Sequence, residues 1–106
     1  LEVDDAVASA QTYYSQAAQN VYWDSSSNKI EAIITQKWIA LNGTSAIESW
    51  IDLTRTGYPS GLPIPDESNG TRPVRLLYPA SEVSRNSANV PTQAVGDVFT
   101  NYPFWK

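Results

Sequence analysis

Only a few groups of side chains in this sequence have types and spacings that could do chemistry. Glu48 and Asp52 lie four residues apart, which sets two carboxylates side by side on one helix face. A glycosidase needs its two carboxyls flanking a bond from opposite sides, so this pair reads as a solvated face with mild mutual repulsion. Asp24-Ser25-Ser26-Ser27-Asn28 opens like a calcium loop, but Lys29 stands where the tight turn needs Gly, and the distal Glu is misplaced. A connection that ends in a helix N-cap accounts for the same residues. Tyr22-Trp23, in that polar connection, is the candidate aromatic platform on which a sugar or a peptide would stack. The competing use of Trp23 is packing, with its apolar body buried and its N–H bonded. Tyr58, beside a proline-rich loop, is a further candidate for a stacking contact. Arg55 and Arg75 sit within apolar sequence, where pairing with a carboxylate is the expected use of a guanidinium. For Arg75 the nearest candidates are Glu82 and Glu48.

Other chemistries are removed by composition. The chain has no Cys and no His, so thiolate chemistry, disulfides and the commonest general base and zinc ligand are gone. No metal or cofactor is implied, and a hydrolase is a distant reading. Net charge is −4, and the seven basic residues are scattered, with no stripe to follow a phosphate backbone, so nucleic acid is not an expected partner. No run approaches the roughly 18 apolar residues of a membrane span, and no signal-peptide pattern opens the chain. With 106 residues and 42% hydrophobic content, a single domain with a modest core is expected. The chain starts at Leu1 and contains no Met, which leads to the expectation that it is a processed or excised piece of something longer.

The elements that must hold these groups are helical in the first half. Val3, Val7, Ala10, Tyr14, Ala17 and Val21 recur by four and three, which predicts one helix from Val3 to Val21, about 27 Å long at 1.5 Å per residue. Asn28 followed by Glu31 predicts a capped second helix with Ile30, Ile33, Ile34, Trp38 and Leu41 on its inner face, ended by Asn42-Gly43. Ser45 with Glu48 predicts a capping box opening a third helix, on which Ile47, Trp50, Ile51 and Thr54 share a face. Gly57 suits the left-handed position that ends a helix, and Pro59 cannot continue one. The short link makes the second and third helices an αα-hairpin, with Trp38 and Trp50 as buried core on its facing sides.

The second half reads as loops. Ser60 to Gly70, entered through Pro59, holds two further prolines, two glycines and a terminal Asn-Gly, the composition of an irregular loop. Arg72 to Pro79 is short and extended with prolines at both ends, so it is not a central strand, and Ser81 to Ala88 suggests one or two helical turns. The turn-rich tail ends on Phe104-Trp105 and is expected to pack down. Asn42-Gly43-Thr44 and Asn69-Gly70-Thr71 fit the glycosylation sequon, but turn chemistry explains both. The expected organisation is a single segment, helical over 1–57 and loop-rich over 58–106.

Trp38-Ile39-Ala40-Leu41, then Glu48-x-Trp50, Arg55-Thr56-Gly57-Tyr58-Pro59, Pro73-x-Arg75-x-x-Tyr78-Pro79, Glu82 and Asn86 together resemble the C-terminal region of SusD/RagB-type outer-membrane lipoproteins. The resemblance covers roughly Ile30 to Lys106. Thr54 stands where members often carry a first arginine, and Phe104-Trp105 replaces paired tryptophans, both as subfamily variation. The resemblance implies a mostly helical protein several times this length, at the cell surface and held to the outer membrane by a lipidated Cys absent here. It implies a non-enzymatic capture of oligosaccharide, or of peptide in RagB-like members, and transfer to a SusC-like TonB-dependent barrel. It also implies that the quoted motif residues are architectural. A helical module that binds only protein is the alternative from another class.

Overall fold

The computed structural model describes residues 4–68 and 70–104; the parts of the readings above that fall on Val3, Asn69 and Trp105 lie outside them. Among the described residues every regular element is helical and none is a strand, so the fold is mainly α, with short helices and irregular chain following the hairpin. The chain divides into two units, one ending at Gly61 and one beginning at Leu62.

In the first unit, α1 spans Ala6–Tyr14, α2 Lys29–Leu41 and α3 Ala46–Thr56. The long first helix expected from the Val/Ala/Tyr seam is not formed. Asp5 caps α1, its carboxylate accepting from the Ala8 N–H at 2.9 Å, but the helix stops after nine residues and none of them is buried. A helix this short is marginal without a packed face, and its seam has no core to meet. Ser15 turns its hydroxyl back onto the Thr12 carbonyl. Five residues later Asn20 takes a left-handed φ of 64°, a conformation Asn tolerates better than most side chains.

Asn28 caps α2 as expected, accepting from the N–H groups of Ile30 and Glu31 at 3.1 Å each. The face on which α2 is buried is narrower than the expected one. Ala32 and Ile34 are the buried apolar residues, whereas Ile30 and Ile33 are more than half exposed. The α3 capping box is also not made: Ser45 is the N-cap residue but its side chain makes no capping bond. Glu48, which would have reached back to it, lies 3.7 Å from Lys37 on α2 instead. Ile47 and Ile51 are exposed, and the buried residue of α3 is Asp52. Trp38 and Trp50 are half-buried rather than core. The helix end is as read: Gly57 has φ 79° and its N–H donates to the Leu53 carbonyl at 2.8 Å. A cis Tyr58-Pro59 peptide follows, with Pro59 buried.

The second unit contains a 3-10 turn at Asp66–Ser68, α4 at Ala80–Arg85 and α5 at Asp97–Thr100. The Arg72 guanidinium donates to the carbonyls of Leu62 and of Pro63, the latter at 3.1 Å, which closes the proline-rich loop. The Gln93 carboxamide both accepts from the Tyr78 N–H (2.8 Å) and donates to the Tyr78 carbonyl (3.1 Å), as a neighbouring strand would. The Val74 N–H donates to the Val98 carbonyl at 2.7 Å. Of the tail expected to pack down, Gln93 and Val98 are held by these bonds, whereas Phe104 is 96% exposed and Tyr102 is exposed as well.

Candidate functional site

Trp23 is held by a loop folded around one hydroxyl. Ser26 is 2% exposed; its Oγ donates to the Tyr22 carbonyl at 2.8 Å and accepts from the Asn20 N–H at 3.0 Å. The Ser26 N–H donates to the Trp23 carbonyl at 3.1 Å. Lys29, the residue that spoils a calcium loop, donates its ammonium to the same carbonyl and sits 4.9 Å from the Trp23 ring centroid. That placement gives a cation–π contact that steadies the indole. The ring nevertheless stays 53% exposed, and Tyr22 beside it is exposed too.

Beside the indole lies an open groove of about 290 Å³, lined by Asn20, Val21, Trp23, Ala32, Ile33 and Gln36. Its polar members are largely engaged with one another. The Gln36 Nε2 donates to the Asn20 carbonyl, and the Tyr13 hydroxyl meets the Gln36 carboxamide at 3.0–3.1 Å. Asn20 Oδ1 is the exception, an enclosed acceptor with no partner among the described residues. An aromatic face, an apolar wall and one free acceptor suit a flat ligand with an apolar side and few donors. Tyr58 is placed differently. It is half-buried, and its hydroxyl accepts from the Asn28 Nδ2 at 2.7 Å, tying the chain after α3 to the cap of α2.

The second cluster is ionic. Asp52, expected on a solvated face, is 7% exposed. Its Oδ2 lies 2.7 Å from Lys37 Nζ and its Oδ1 accepts from Arg55 Nη2 at 2.9 Å. The expected carboxylate partner of Arg55 is thus found three residues back on its own helix. The Lys37 ammonium, first, and the Arg55 guanidinium hold the Asp52 carboxyl below its ordinary value, against burial that pushes it up. Lys37 is raised in turn, mainly by Asp52. Below the ion pairs, the Thr56 hydroxyl donates to the Asp52 carbonyl at 2.7 Å and accepts from the Tyr58 N–H at 3.1 Å. The Arg-Thr-Gly-Tyr-Pro run therefore forms one continuous lock from α3 to the cis proline. Among the described residues Arg75 does not find a carboxylate: its Nε donates to the Leu76 carbonyl at 3.2 Å, and its guanidinium lies 5.4 Å from the Tyr78 ring centroid. Glu82 instead accepts from the Asn86 Nδ2 at 2.6 Å, which closes the end of α4.

A protein-family model described as SusD-like, "Susd and RagB outer membrane lipoprotein", matches residues 2–97. The chain belongs to the SusD-like family. Comparison with curated proteins and with solved structures returned no match. The family is one of nutrient-binding lipoproteins of the outer membrane. Among the described residues no helix is long and apolar enough to cross a membrane, and no group of acidic residues is placed to hold a metal. The SusD-like motif residues fall into three local devices. Glu48 and Arg55 flank the buried Asp52, Gly57 and Pro59 turn the chain, and Glu82 with Asn86 closes α4. Trp38, Trp50, Arg75 and Tyr78 accompany them as partly exposed packing. Sequence reasoning missed Lys37, Gln36, Tyr13 and Asn20, because their partners lie 15 to 23 residues away. Only the hairpin register, which brings residue 37 opposite 52, could have pointed to Lys37.

Proposed function

We propose that the intact protein captures oligosaccharide at the cell surface and delivers it to a SusC-like TonB-dependent transporter, without catalysis. Membership in the SusD-like family over residues 2–97 is the observation that carries this reading. The segment described here supplies mainly scaffold, built on the Asp52 lock and the capped hairpin. Its contribution to recognition is the exposed Trp23, with Tyr22 beside it, as a stacking platform that a pyranose C–H face would cover. Tyr58 takes part less directly, since its hydroxyl is engaged by Asn28. The apolar groove next to Trp23 also favours a second reading, in which the occupant is an apolar side chain of a peptide. A glycan array and a peptide array probed with the intact protein separate the two. Co-purification of a TonB-dependent barrel tests the transfer step. Peptide binding without glycan binding would replace the first reading by the second, and a barrel partner with no soluble ligand would leave an interaction module.

A further inference from the structure

Asn42 and Gly43 form part of the link between α2 and α3, and both are exposed. The main chain there is organised on one oxygen: the Thr44 N–H (2.9 Å), the Thr44 hydroxyl (3.0 Å) and the Ser45 N–H (3.0 Å) all donate to the Leu41 carbonyl. The Gly43 N–H is left out of this arrangement and makes no hydrogen bond among the described residues, nor does the Asn42 carboxamide. Gly43 has φ 80°, and a Cβ built on it would meet nothing within 4 Å. The amide nitrogen therefore has neither a hydrogen bond to hold it nor a side chain to crowd it, although the Asn42 ψ of 121° turns it away from the Asn42 side chain, so attack requires a rotation about the Asn42 Cα–C bond.

We propose that Asn42–Gly43 is a site of spontaneous deamidation that loosens the α2–α3 hairpin as the protein ages. The Gly43 nitrogen gives its proton to solvent and bonds to the Asn42 side-chain carbonyl carbon. The bond from that carbon to Nδ2 breaks, and the amide nitrogen takes protons from solvent and leaves as ammonia. Water then opens the resulting five-membered imide at one carbonyl or the other, giving aspartate or isoaspartate. No oxidant or enzyme is involved.

The other described asparagines with known partners are protected by those partners. Asn28 holds three hydrogen bonds through its carboxamide. Asn86 donates to Glu82, and Asn89 donates to Asn86. Either product matters at Asn42 because it is the C-cap of α2, whose last turn holds no basic residue. A carboxylate there meets the negative end of the helix dipole uncompensated. Isoaspartate also adds a bond to the main chain, which pulls the Thr44 and Ser45 N–H groups off the Leu41 carbonyl.

The test is peptide mapping of the protein after incubation near neutral pH, folded and in denaturant. Folding is expected to slow Asn42 only by the cost of that rotation, and to slow Asn28 by about tenfold more, equivalent to about 1.4 kcal/mol of barrier. Protection of Asn42 by folding as strong as that of Asn28 would overturn the assignment. Hydrogen exchange then reads the consequence. Aged protein should lose protection at the Thr44 and Ser45 amides, an Asn42→Asp variant should lose less, and an aged Asn42→Gln variant should keep it. Equal loss on ageing in Asn42→Gln would show that the modification is not what loosens the hairpin.

Discussion

Replacing Asp52 by Asn keeps the shape of the side chain and removes the charge on which Lys37 and Arg55 converge. The magnitude follows from which partner is buried. Asp52 is nearly enclosed, but the side chains of Lys37 and Arg55 remain 43% and 53% exposed. Breaking a fully buried pair costs about 3–5 kcal/mol because a charge is stranded, and breaking an exposed pair costs about 0–1 kcal/mol. Here the stranded groups are the two cations, and water reaches both. The expected loss is therefore about 1–2 kcal/mol, near that of a hydrogen bond to a charged group. The pH dependence has a definite sign. The Asp52 carboxyl is lowered from its ordinary 3.8, so its contribution is fully present above about pH 4 and is lost as pH falls through the depressed value. Lys37 is raised from 10.5, so its contribution is present below that pH and lost as pH rises through the raised value. Chemical denaturation of parent and Asp52→Asn, followed by tryptophan fluorescence near neutral pH and again in strong acid, measures both effects. The two proteins should converge in acid. A neutral-pH difference under about 0.5 kcal/mol, or one that persists unchanged in acid, would show that the ion cluster is surface decoration.

Three further outcomes are expected. Asn28→Ala should cost about 1–2 kcal/mol, the range for a working N-cap, while Ser45→Ala should be nearly neutral because its side chain caps nothing; thermal or urea unfolding of both variants distinguishes them. Trp38→Ala and Trp50→Ala should each cost about 2 kcal/mol, roughly half the usual figure for a buried aromatic, in the same assay. Titration calorimetry of this segment alone should find oligosaccharide affinity no better than about millimolar, or about 4 kcal/mol, with the intact protein binding more tightly. Micromolar binding by the segment, abolished by Trp23→Ala, would place the main site here.

What could be read from the sequence was what local chemistry decides. Asn28 caps α2 through its own side chain, and Gly57 ends α3 because few other residues accept φ near 80°. Neither needs a distant partner. The errors all came from residues whose state depends on such a partner. Periodicity gave α1 a length that only a packing surface could have sustained, and it marked Ile30 and Ile33 as inner face although both are exposed in this unit, as are Ile47 and Ile51 on the shared face of α3. The same dependence explains the candidate sites. Glu48 and Asp52 are the same distance apart on any helix, and nothing in that spacing says which one is enclosed. The difference comes from Lys37 on the antiparallel neighbour: it approaches Asp52 to 2.7 Å and Glu48 only to 3.7 Å, and Arg55 adds a second cation on the Asp52 side alone. A carboxylate can be enclosed at modest cost where two cations meet it, and the other carboxylate is left to solvent. The pair read as equivalent is thus split by register into a structural anchor and a surface charge.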